Sequence, residues 1–264
     1  MAFSSSKIRH AIRIRSISLP TRSHPSTLQV EEELARFKTW ETSISCISTD
    51  AETVCSGLTS LERLYTCVDN LFSLSVTQQA LSHHQCQKVV DELRDRSMTL
   101  LDICGSVRDV VSHVKEHVRD VQSALRRRKK GFIMETSFLK KLMKDVKRGA
   151  ADLKHIDHTY GLLKPLNLDT HLASVIRVVR DVSEISISVF GMLLSFFSVL
   201  ISKTKTTSSK WSIISKFIQR GRKEQPRSYI EALDCSIEGI ENDLECMFRK
   251  LIKTRASLLN ILSQ

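Results

Sequence analysis

Turn-forming residues are scarce in this chain, and that scarcity limits its possible folds more than any other feature. Its 264 residues include 8 Gly and 4 Pro, where average usage would supply roughly 18 and 13. No proline stands between Pro25 and Pro165. The elements between turns must therefore be long, which suits helices and not strands.

The apolar spacing agrees. Val30, Leu34, Phe37, Trp40, Ile44 and Ile47 step by three or four residues and mark one face of a first helix opening at Pro25, a position where the missing N–H costs nothing. Asp50 is a good N-cap for a second helix reaching Leu74, with Val54, Leu58, Leu61, Leu64, Val68 and Leu71 inward. From Thr77 the period continues through Leu81, Val89, Leu93, Leu100, Cys104, Val107, Val111, Val114, Val118, Val121 and Leu125. This predicts one helix over 77–130, about 80 Å long. The run Arg126–Lys130 followed by Gly131 is a helix-stop signal, cations in the last turn and then glycine.

A further helix is expected over about 134–160, with Phe138, Leu142, Val146, Leu153 and Tyr160 inward. Another, capped by Asn167 or Asp169, should extend to about Ser202, and a short one is expected at 209–220. The last helix, about 228–262, has the most regular pattern. Ile230, Leu233, Ile237, Ile240, Leu244, Met247, Leu251, Thr254, Leu258 and Ile261 alternate steps of three and four. Such a seam requires a partner helix, inside the chain or outside it. The fold class that follows is all-α, a bundle of long antiparallel amphipathic helices. A single domain is expected over 25–264, behind a disordered basic tail at 1–24.

Net charge is +11, concentrated at two places. Lys7, Arg9, Arg13, Arg15 and Arg22 precede the first acid, Glu31, and eight Lys or Arg face the single Glu224 between Lys203 and Arg227. Such patches attract phosphate or anionic lipid, or are simply solvated. The tail also has the composition of an organelle transit peptide, but lacks the apolar core of a secretory signal. The seven cysteines form no C-x-x-C pair and mostly fall among apolar positions. They read as small core residues in a reducing compartment, pointing to an intracellular, cytoplasmic protein.

Three constellations could carry chemistry. Ile185–Ser202 contains eighteen residues without a charge, the lower end of a membrane-spanning length. Glu184, Ser188, Gly191, Ser195, Ser198 and Ser202 form a narrow small-residue stripe along it, which in a buried bundle helix should face a closely packed neighbour. His113, Glu116 and His117 match the H-x-x-E-H pattern, in which two His hold zinc and the Glu activates water. They flank a valine stripe and no third ligand can be nominated, so a zinc hydrolase ranks last among the readings. The third is a basic amphipathic segment in which Trp211 and Phe217 stand beside Lys210, Lys216, Arg220, Arg222 and Lys223. It suits contact with a partner or an anionic membrane. Phosphate-binding glycine motifs, nucleophile elbows and paired Cys/His zinc frameworks are not found in the sequence.

Several segments resemble one plant family. They are Arg15-Ser-Ile-Ser-Leu-Pro-Thr-Arg-Ser-His-Pro25, Leu74-Ser-Val-Thr-Gln-Gln-Ala-Leu81, Leu101-Asp-Ile-Cys-Gly105, Asp120-Val-Gln-Ser-Ala-Leu-Arg-Arg-Arg-Lys129 and Phe248 through Leu262. In that order they are similar to the BYPASS-one-related proteins, "domain of unknown function 241". The resemblance implies an all-helical plant protein with a part in root and shoot development and no established biochemical activity. Its best-known branch is linked to plastid or membrane compartments. It supplies no site residues.

The expectation is therefore a non-enzymatic helical interaction protein with an unidentified protein partner, no cofactor, no metal and no evident small-molecule substrate. Nucleic acid is disfavoured as a partner. The first alternative is a peripheral membrane adaptor binding anionic lipid through residues 203–227.

Overall fold

The computed structural model describes residues 25–44, 50–82, 87–127, 136–159, 170–205 and 226–263. The described residues form seven helices and no strand: α1 (Pro25–Ile44), α2 (Ala51–Phe72), α3 (Ser75–Leu81), α4 (Gln87–Arg126), α5 (Thr136–Thr159), α6 (Thr170–Lys205) and α7 (Pro226–Leu262). The N-terminal tail, the Asn167/Asp169 cap and the helix expected at 209–220 lie outside the described residues.

Local signals account for some of the helix ends. Asp50 has extended backbone and its carboxylate accepts the Thr53 N–H at 2.8 Å, closing an orphan donor of α2. That bond holds the Asp50 carboxyl below the usual carboxylate range. The helix expected over 77–130 is in fact two. After Phe72 the chain turns through Ser73 and Leu74, α3 begins at Ser75 and ends at Leu81 with Ser82 as its C-cap, and α4 starts at Gln87. Side chains brace the break. Gln78 donates to the Phe72 carbonyl at 3.1 Å, and the Thr77 hydroxyl bonds His171 of α6 at 3.0 Å. At its far end α4 stops within the basic run, at Arg126.

Four long helices form a ring in the order α2, α7, α4, α6. α7 packs most extensively, against α4 on one side and α2 on the other. Contacts fix the directions. Cys55 lies beside Gly239 and Asp69 beside Thr254, so α2 and α7 run parallel. Lys115 pairs with Glu241 and Arg108 with Glu245, so α4 and α7 run antiparallel. Tyr65 meets Ser186 and Gly57 faces Met192, making α2 and α6 antiparallel. α4 and α6 run parallel, with Glu92 opposite Arg180. α1 covers the α2/α6 edge and α5 the α4/α6 edge. The long helices successive in the chain run antiparallel, as in an up-and-down bundle, while the ring contains two pairs of parallel neighbours.

The inward stripes form one continuous core. All six apolar positions expected of α2 are buried, and nine of the ten seam positions of α7, with Leu233 half-buried. Burying one such Leu contributes about 1.5–3 kcal/mol. On α5, Leu142, Val146 and Leu153 are inward.

α6 departs from expectation. Thr170–Leu200 is long and apolar enough to cross a membrane, and half of its most apolar stretch is buried inside the bundle, including Val189, Phe190, Leu193 and Phe197. The small-residue stripe, however, does not face a close neighbour. Glu184, Ser188 and Ser195 are exposed and Gly191 and Ser198 half-buried. A Cβ on Gly191 would come no nearer than 4.0 Å to Leu153. The bulky faces occupy the interior, which leaves the small polar positions at the outer edge, where Ser188 donates to Glu41 of α1 at 2.6 Å.

Candidate functional site

The basic amphipathic segment holding Lys210, Trp211, Lys216, Phe217, Arg220, Arg222 and Lys223 lies outside the described residues. It continues from α6. Near that end of α6, Val199 is 48% exposed, and Phe196 and Leu200 are half-buried.

His113 and His117 are half-buried on α4 and Glu116 is exposed. Burial pushes His117 below the ordinary imidazole value, with Asp120 opposing it. Among the described residues no group of three or more His, Cys, Asp or Glu is placed to hold a metal ion. Cys67 and Cys104 are buried, Cys55 half-buried, and Cys235 and Cys246 exposed on α7. The last two therefore do not follow the core pattern. Burial pushes the Cys104 thiol up to about 12, and burial together with Asp243 pushes Cys55 up to about 11. Both are poor nucleophiles at neutral pH.

At the centre of the ring lies a polar cluster that the apolar spacing did not reveal. Arg96 of α4 is 4% exposed, in a position the inward stripe skips between Leu93 and Leu100. Burial lowers its pKa from the ordinary guanidinium value, and Glu184 and Glu92 offset part of that effect. Arg180 Nη2 stands 3.5 Å from Glu92 Oε2. On the α2 side, the buried Tyr65 hydroxyl bonds Ser186 at 3.0 Å, and burial pushes its phenol well above the usual range. Asp69 accepts from the Thr254 hydroxyl at 2.5 Å and has Lys253 at 3.4 Å. This explains the only non-apolar residue in the α7 seam: Thr254 is there to bind Asp69.

Beside this cluster, side chains of α2, α4, α6 and α7 enclose a cavity of about 30 Å³ that includes Tyr65, Arg96 and Thr254 in its lining. Ligand pockets run to roughly 300–1,000 Å³, so this space suits no small-molecule substrate. Between α4 and α7 the contacts are charge-rich. Arg108 pairs with Glu245 and lies 4.2 Å from the centre of the Phe248 ring. Lys115 reaches Glu241 and Glu238, and Arg255 donates to the Arg94 carbonyl at 2.8 Å. The outer face of α4 is acidic, with Asp95, Asp102, Asp109 and Glu116 exposed at seven-residue intervals. Among the described residues these features make a filled interior and a charged exterior.

The family model described as Protein BPS1 matches residues 57–229 and 224–261, from within α2 through α7, and so takes in all four ring helices. No curated protein and no solved structure matches the chain. The BPS1 family is not a known enzyme family. The chain belongs to this BPS1 family, the BYPASS-one-related plant proteins that its sequence segments resemble.

Proposed function

We propose that this protein is a non-enzymatic helical interaction protein acting in the control of plant root and shoot development. In this reading it meets a protein partner through residues 203–227. The family match over most of the chain carries the reading. The closely filled ring supports it, because among the described residues the cavity lined by the four helices, about 30 Å³, is too small for a substrate. The basic segment is the strongest local excess of charge beyond α1, and Trp211 and Phe217 give it apolar anchors. Aromatic and Arg residues are the usual anchors of binding surfaces.

Proximity labelling in native tissue tests this, because it reports partner and compartment together. The wild-type chain is compared with a variant carrying Trp211→Ala, Lys216→Glu, Arg220→Glu and Lys223→Glu. A defined partner set lost in the variant, with the helical fold intact, is the expected result. An unchanged set would remove the segment from the proposal.

One observation favours a second reading, peripheral binding to anionic membrane. The exposed Val199 and the half-buried Phe196 and Leu200 extend an apolar surface toward the same basic segment. Flotation with vesicles rich in phosphatidylserine separates the two readings. Salt-sensitive flotation abolished by the same substitutions supports the membrane, and protein left at the bottom of the gradient counts against it.

A further inference from the structure

α4 and α6 are one of the two parallel pairs of the ring, and their mutual contact is the thinnest of its four sides. Apolar packing alone would set their register weakly, because Val, Ile and Leu recur on every turn of both helices. The charged residues are less forgiving. On α4, Glu92 precedes Arg96 by one turn. On α6 the order is reversed, Arg180 preceding Glu184 by one turn. In the observed register Arg180 stands opposite Glu92, and one turn further along both helices Arg96 and Glu184 occupy the corresponding positions, with Glu184 favouring the charge of Arg96.

We propose that these four residues act as a register lock, fixing the axial position of α6 against α4. Sliding α6 one turn in one direction would bring Glu184 to Glu92, whose side chain is 9% exposed. Sliding it one turn in the other would bring Arg180 to Arg96, itself 4% exposed. Both slips set like charges against each other, and in each the α4 member is buried, so the repulsion falls on a charge that water screens poorly. The α2 side discriminates as well. The buried Tyr65 hydroxyl has Ser186 as its partner, and a one-turn slip would offer it Val182 or Phe190, neither of which can bond it. The lock therefore works by penalising the wrong arrangements, the best-attested use of polar groups within helical bundles.

Charge exchange in the full-length protein tests this. The α6 exchange Arg180→Glu with Glu184→Arg, and the α4 exchange Glu92→Arg with Arg96→Glu, should each lower the melting temperature by about 10 °C or more. Combining all four substitutions restores opposite charges across the interface and should recover at least half of the loss. If both double variants fail to fold, a folded quadruple variant is the same rescue. A quadruple variant that is as unstable as the sum of its parts, or remains unfolded, would overturn the lock. A second variant checks specificity apart from stability: Glu92→Leu, Arg96→Met, Arg180→Met and Glu184→Leu. It should stay helical yet give broadened or doubled amide resonances from α6. One sharp set, with unchanged contacts between α4 and α6, would also overturn it.

Discussion

Two polar side chains show how much single residues contribute to this bundle. Asp50 caps α2 through its bond to Thr53. Asp50→Ala should cost about 1 kcal/mol near neutral pH, measured by urea unfolding. Because its folded-state pKa is lowered, its contribution is present above the ordinary carboxylate range and fades as pH falls through the folded value. The difference between wild type and Asp50→Ala should therefore shrink in acid, and a constant difference would show that the cap does not act through its charge. Asp69 is a more buried case, at 7% exposure. Asp69→Ala strands the Thr254 hydroxyl inside the core, and should cost about 1–3 kcal/mol. Adding Thr254→Val should recover part of that cost, since the pair then leaves no unpaired group. Additive losses in a double-mutant cycle would contradict the assignment.

At the scale of elements, regular apolar spacing was the reliable guide. It located the inward faces of α2 and α7 residue by residue, because burial of one stripe is what makes these helices stable. It failed where the interior is polar or where a turn lacks its usual residues. Arg96 and Asp69 occupy core positions that hydrophobic counting passes over. α3 ends at Ser82 without a glycine or proline there, and tertiary bonds tie it down, Thr77 to His171 and the Ser82 hydroxyl to the Ile261 carbonyl. The α6 stripe is a distinct face in the sequence, but its spacing does not say which way it points, because small residues suit a close contact and an outer edge equally well. Its glycine gives a direct check. Gly191→Ala on α6 and Gly105→Ala on α4 meet open or ordinary space, and each should stabilise the fold by up to about 1 kcal/mol through helix propensity alone. At Gly57 a Cβ would fall 2.8 Å from the tip of Met192 and 3.0 Å from the Trp40 ring. Gly57→Ala should lose that gain or destabilise, and equal thermal shifts for all three would refute the packing of α1 and α6 on α2.

Over the whole molecule, α7 is the helix that closes the ring. It joins α4 to α2, supplies Thr254 to Asp69, and carries the acidic partners of Arg108 and Lys115. The partner demanded by its seam thus lies within the chain, and any outside partner must use another surface. Removing several of its buried side chains should exceed a typical total stability of about 5–15 kcal/mol. Leu251→Asp, which places a carboxylate at a position 3% exposed, should come close to doing so alone. The most direct test is to end the chain after Asp243 and follow thermal unfolding by circular dichroism, with amide spectra of the same sample. An insoluble or molten product is expected, without a cooperative transition and without dispersed resonances. A soluble truncation that melts cooperatively would contradict it, and would mean that the seam from Leu244 to Ile261 serves another protein.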